Sequence, residues 1–234
     1  MSRRVYLDHN ASTPVHPEVV AEMLPYFGEV FGNPSSIHAF GPEAREAMDR
    51  ARERVARFLS VSPQEIVFTS GGTESDNFAL KGLAGARGKG HIITSLVEHH
   101  AVLRAARALE AQGFDLTCVG VDEFGMVDPD DVRRAIRPDT IAISIMHANS
   151  EVGTLQPIEA IGRIARERGV PFHVDAVQTF GKLPLDVYAL GIDVLSFSAH
   201  KIYGPKGIGA LYVRSKGPRV RLTPIIDGGG HERG

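Results

Sequence analysis

Glu65-Ile66-Val67-Phe68-Thr69-Ser70-Gly71-Gly72-Thr73-Glu74-Ser75 is the stretch on which the fold is decided. A short apolar run meets two glycines and passes into a helix-forming segment that reaches about residue 87. Strand, tight turn and helix make half of a βαβ unit. The same alternation recurs downstream: strands over 91–95, 116–121, 141–145 and 172–174, with helices over about 101–112, 129–136 and 157–168 between them. Two more strands, 194–197 and 208–213, are separated by Pro205 and glycines. Short β-branched runs alternating with helices predict an α/β domain, with a mainly parallel sheet covered by helices on both faces. Upstream, the first forty residues are irregular, with one helix over about 17–27. Pro42 is expected to open a helix at its first position. Ala44, Ala47, Met48, Ala51, Val55, Phe58 and Leu59 form its apolar face.

The chain has 234 residues, 43% hydrophobic and 23% charged, which is globular composition rather than a disordered one. A net charge of −2 offers no basic excess for nucleic acid or an anionic membrane. No run of 18 apolar residues is present, and the N-terminus carries no secretory h-region. Cys118 is the single cysteine, which excludes a disulfide within the chain and suits a reducing, cytoplasmic setting.

In a doubly wound sheet, ligands bind beyond the carboxyl ends of the strands. Four such ends carry chemistry. Gly72 and Thr73 open a helix and offer free backbone amides to a phosphate, or the turn is an N-cap without a ligand. It matches neither the dinucleotide fingerprint nor a P-loop. Asp175 ends an apolar strand, where a carboxylate needs a cation or caps a helix. In Ser198-Ala199-His200-Lys201, a lysine follows a buried strand. Desolvation turns such an amine into a nucleophile, whereas a lysine in an exposed loop stays inert. His99 and His100 form a pair with no second cluster at metal-ligand spacing, so an imidazole that stacks or moves protons fits better than a metal. A phosphate cradle, a carboxylate, a stacking imidazole and a lysine amine at one sheet edge are what pyridoxal phosphate requires.

At these residues the sequence resembles the cysteine desulfurases of the NifS/IscS type, within the class V aminotransferases. The resemblance runs through Tyr-Leu-Asp-His-Asn-Ala-Ser-Thr-Pro from Tyr6, Gly-Asn-Pro-Ser-Ser-Ile-His from Gly32 and Thr-Ser-Gly-Gly-Thr-Glu-Ser-Asp-Asn from Thr69. It continues through His-Val-Asp-Ala-Val-Gln from His173, Ser-Phe-Ser-Ala-His-Lys-Ile-Tyr-Gly-Pro-Lys-Gly from Ser196 and the closing Gly-Gly-Gly-His-Glu-Arg-Gly. It implies the large domain of a fold type I pyridoxal-phosphate-dependent transferase. Residues 16–234 form the cofactor-binding domain, and residues 1–15 contribute to a small domain that is mostly missing.

The resemblance also implies roles. Lys201 carries the cofactor covalently, Asp175 pairs with the ring nitrogen, and Gln178 bonds the ring hydroxyl. Gly72, Thr73, Ser198 and His200 hold the phosphate, and His99 stacks on the ring and moves protons. No metal is expected. The reaction removes sulfur from L-cysteine, leaving L-alanine, and passes it as an enzyme persulfide to a scaffold or carrier protein for iron–sulfur clusters or tRNA thiolation, in a homodimer. Ser150 stands where the family has a cofactor-touching asparagine. The family's catalytic cysteine loop follows the last residues seen here, so the chain is expected to be a fragment, inactive alone. Cys118 lies in an apolar strand and reads as a core residue. Selenocysteine lyase, another carbon–sulfur lyase of the class, and a non-catalytic dimerisation or docking domain are the competing readings. A Rossmann dehydrogenase lacks its GxGxxG after the first strand.

Overall fold

The β-branched runs pair into one seven-stranded sheet in the computed structural model, which describes residues 4–233. The expected boundaries at residues 1 and 234 lie outside the described residues. The strands are β1 (Ile66–Thr69), β2 (His91–Ser95), β3 (Asp115–Val119), β4 (Thr140–Ser144), β5 (Phe172–Asp175), β6 (Val194–Ser198) and β7 (Gly209–Val213). Their order is β1-β7-β6-β5-β4-β2-β3. Pairing is parallel from β3 across to β6, and only β7 runs antiparallel to its neighbours β6 and β1.

The helices are α1 (Pro17–Met23), α2 (Phe40–Phe58), α3 (Gly72–Arg87), α4 (His100–Glu110), α5 (Pro129–Ala135) and α6 (Ile158–Arg168). Two expectations shift here. The first helix becomes a 3-10 turn at Leu24–Phe27, where Pro25 cannot donate to the preceding turn. Pro42 is the third residue of α2, not the first. The third amide of a helix is also without an intrahelical partner, so proline is tolerated there equally.

Alternation along each strand sends side chains to opposite faces and builds a core on each. Ile92 and Ala142 face α3 and α4, against Leu80, Leu83, Val102 and Ala105. Ile93, Ile143, Phe172, Val174 and Leu195 face the other way, against Val132, Ile161 and Ala165 of α5 and α6. The period places Ser144, His173, Asp175 and Ser196 on the α3 side, all buried. A polar island thus lies under α3 at the carboxyl ends of β4, β5 and β6. Among the described residues no helix is long and apolar enough to cross a membrane.

Residues 8–16 lie along the chain that follows β6. Thr13 N donates to His200 O at 2.8 Å, and His16 N to Tyr203 O at 2.9 Å. Thr13 Oγ1 donates to the same His200 carbonyl at 2.8 Å and accepts from Tyr203 N at 2.8 Å. Tyr203 has φ of 63°, a left-handed turn held by these bonds.

Candidate functional site

Seven of the eight expected site residues line one cavity of about 600 Å³ at the carboxyl edge of the sheet: Gly72, Thr73, His99, Asp175, Gln178, His200 and Lys201. The eighth, Ser198, ends β6 and is buried behind the glycine turn. Its Oγ lies 3.9 Å from where a Cβ on Gly71 would stand.

The turn into α3 is shaped by glycine. Gly71 has φ of 153°, which side chains rarely adopt. A Cβ on Gly72 would sit 2.7 Å from Val177 Cγ2, so the turn presses against the loop after Asp175. The N-cap reading of this turn is not realised, because α3 begins without a side-chain cap. Glu74 Oε2 instead accepts from Ser70 N at 2.7 Å. Gly72 and Thr73, the first residues of this sixteen-residue helix, line the cavity and have no capping side-chain oxygen over their end.

Asp175 caps locally and also faces the cavity. Its Oδ1 accepts from Val177 N at 2.9 Å. Burial pushes this carboxyl up, against the Val177 amide and the fields of His99 and Lys201. Lys201 is half-buried, unlike a lysine in an open loop. Its Nζ donates to Asn10 O at 2.7 Å. Burial holds its amine below the ordinary lysine value, helped by Lys182 and opposed by Asp175. Gln178 Nε2 reaches the same Asn10 carbonyl at 3.1 Å.

His99 caps α4, its Nδ1 accepting from Ala101 N at 3.1 Å. A neutral ring that accepts at Nδ1 carries its proton on Nε2. The His200 ring is 3.3 Å from Ser12 Oγ at Nδ1, and burial, Lys201 and Lys206 hold it below the usual imidazole value. Ser150 also lines the cavity, and its backbone oxygen accepts from Asn10 Nδ2 at 3.5 Å.

Sequence reasoning missed several residues here. Asn10 is delivered by the strap of residues 8–16, a contact across 191 positions with no local signal. Asp76 lines the cavity and is 1% exposed. It lies one turn after Thr73, and a carboxylate on the apolar side of an amphipathic helix was a legible signal. Glu98 is 5% exposed, and its Oε1 accepts from Ser95 Oγ at 2.6 Å and Met146 N at 2.9 Å. Burial raises its carboxyl to about 8. Cys118 lies half-buried on β3 with its thiol pushed up by burial, the opposite of what activates a cysteine.

Known proteins share this construction. The family model for aminotransferase class-V matches residues 5–233. Cysteine desulfurase IscS from Anaeromyxobacter dehalogenans is 56% identical over 234 residues, covering 98% of this chain and 57% of that protein. The IscS of Dictyoglomus turgidum is 55% identical, covering 99% and 59%. This chain thus spans somewhat over half the length of these curated relatives. A solved structure titled "SspA in complex with cysteine" superposes with a TM-score of 0.94 at 49% identity, covering 98% of this chain and 66% of that one. A NifS-like protein superposes at 0.95 and 46% identity, covering 99% and 64%. The architecture is therefore that of fold type I pyridoxal-phosphate-dependent transferases. Because the match runs through every strand end that builds the cavity, the chain belongs to the aminotransferase class V family.

Proposed function

We propose that residues 16–234 are the coenzyme-binding domain of a pyridoxal-phosphate-dependent cysteine desulfurase, with residues 1–15 contributing to a small domain. The observation that carries this reading is that one cavity holds both a half-buried lysine amine and a buried carboxylate, Lys201 and Asp175. The site fits the coenzyme on its own terms. The uncapped helix start with its glycine turn suits a phosphate, and the carboxylate suits a cationic ring nitrogen.

In this reading Lys201 is the point of covalent attachment. Asp175 keeps the proton on the ring nitrogen, and Gln178 donates to the ring hydroxyl. Gly72 and Thr73 bind the phosphate with Ser198 and His200. His99 lies against the ring, its Nε2 the atom that gives or takes a proton. Bound there, the coenzyme supplies an electron sink for charge left on the substrate's α-carbon. The substrate is L-cysteine, the products are L-alanine and sulfur held as a persulfide, and the sulfur passes to an acceptor protein. Cys118, on a strand and poorly acidic, is not the sulfur-accepting thiol, which lies outside these residues. The enzyme acts as a cytoplasmic homodimer.

The test is borohydride reduction of the full-length protein after addition of pyridoxal phosphate, with the modified residue located by mass spectrometry. Label at Lys201, lost in Lys201→Ala, supports the reading. Equal labelling of both proteins sinks it. Release of alanine from cysteine by the same preparation identifies the reaction.

A further inference from the structure

Asp76 belongs to none of the roles above, yet it sits beside the residue expected to meet the ring. We propose that Asp76 keeps a proton in the folded protein at neutral pH, and that by staying uncharged it leaves the one negative charge of the buried pair on Asp175. This deepens the coenzyme reading and rests on it for its purpose, though the protonation itself does not.

The geometry sorts the two carboxyls. Asp76 is on the face of α3 turned to the sheet. Opposite it, His173 and Asp175 share one face of β5, and Ser196 is the register partner of Asp175 on β6. The Asp76 Oδ1 is buried without any hydrogen-bond partner. His173 Nε2 lies 3.6 Å from it, beyond hydrogen-bond reach, and is taken by Ser196 Oγ at 2.9 Å, while Nδ1 is taken by Ser144 Oγ at 2.8 Å. Burial holds His173 down at about 3, so it brings no positive charge. Glu98, from the loop before α4, is a further acid. Asp175, by contrast, receives the Val177 amide and faces Lys201 and His99. The Ser196 hydroxyl alone favours an anion on Asp76, against burial, whereas the Val177 amide, Lys201 and His99 all favour one on Asp175. Two carboxylates this deeply buried cannot both ionise cheaply, so the proton resides on Asp76. Burial first and Asp175 next raise the Asp76 carboxyl well above the usual range. No bond to carbon changes in this arrangement. One proton stays on Asp76, and a ring cation adds its charge opposite Asp175. Asp76 is thus a positioning residue for charge, not a catalytic one.

The test uses full-length protein labelled with carbon-13 at the aspartate side-chain carboxyl, before and after addition of pyridoxal phosphate. At pH 7 one resonance is expected at the carboxylic-acid position, among others at carboxylate positions. It is lost in Asp76→Asn and unchanged by the coenzyme. Sequential assignment of the acid resonance to residue 76 or 175 in wild type decides the matter if Asp76→Asn does not fold. Absence of any acid resonance in wild type overturns the proposal, as does its survival at the same shift in Asp76→Asn. Because the first measurement is made without coenzyme, failure to label Lys201 refutes the coenzyme reading separately. An acid resonance at Asp76 would then remain, but its assigned purpose would fall.

Discussion

The amine of Lys201 donates to the backbone carbonyl of Asn10 at 2.7 Å. The strap that carries Asn10 is fixed by Thr13 to the turn containing His200 and Tyr203, so the lysine is oriented by residues near the start of the chain. A contact of this kind makes the strap part of the site rather than an appendage to it.

Thr13→Val keeps the shape of a buried side chain and removes its hydroxyl. The Tyr203 amide then loses its acceptor, and His200 O loses one donor. A destabilisation of roughly 1–3 kcal/mol is expected in urea unfolding. Borohydride labelling at Lys201 should slow along with it. Unchanged stability would mean the strap is held elsewhere.

Gly72→Ala places a methyl group 2.7 Å from Val177 Cγ2. Forcing the two loops apart costs about 1–3 kcal/mol. Affinity for pyridoxal phosphate should fall about tenfold or more, the equivalent of ~1.4 kcal/mol. Affinity for pyridoxal without the phosphate should change less. Equal losses for the two compounds would contradict a phosphate cradle at this turn.

His99 serves two purposes that substitution separates. His99→Ala removes the cap of α4 as well as the ring, and is expected to cost about 1 kcal/mol of stability. His99→Asn restores a capping oxygen and with it most of that stability. Both should lose turnover in the full-length enzyme. Recovery of activity in the asparagine variant would remove the imidazole from the chemistry.

Glu98 makes stability depend on pH. Its folded-state value, about 8, lies above the ordinary 4.5. Within that interval the folded protein holds a proton that the unfolded chain has released, so stability declines as pH rises. The buried His173 acts in the opposite sense, but only below its ordinary value of 6.5. Between pH 6.5 and 8 the acids therefore dominate. One carboxyl that keeps its proton through that window accounts for a loss of roughly 2 kcal/mol. Thermal unfolding of Glu98→Gln without coenzyme should show a shallower decline than wild type. An identical decline would assign the dependence to other groups.

The alternation of strands and helices was legible residue by residue, because each element carries its own period and its own breakers. Ile66 to Thr69, the two glycines after Ser70 and the helix-forming run behind them announce a βαβ sheet without tertiary information. The antiparallel direction of β7 was not legible, since a short apolar run reads the same either way. Lys201, Asp175 and Thr73 were legible as candidates through one rule, that ligands gather at the carboxyl edge of such a sheet. Asp76 and Glu98 escaped, one because it lies inside a helix and not at a strand end, the other because a loop has no period.

The sequence by itself determined the class of fold, the edge where chemistry gathers and the residue types present there. Those properties are local, written in periodicity and in the residues that end each run. Tertiary packing alone decided that Asn10 holds the Lys201 amine, that one oxygen of Asp76, Oδ1, lies unpartnered on the side facing β5, and that Ser198 stands behind the turn. These depend on how distant segments pack. Burial then sets which groups keep their protons, because the cost of a charge is fixed by its surroundings and not by its neighbours in the chain.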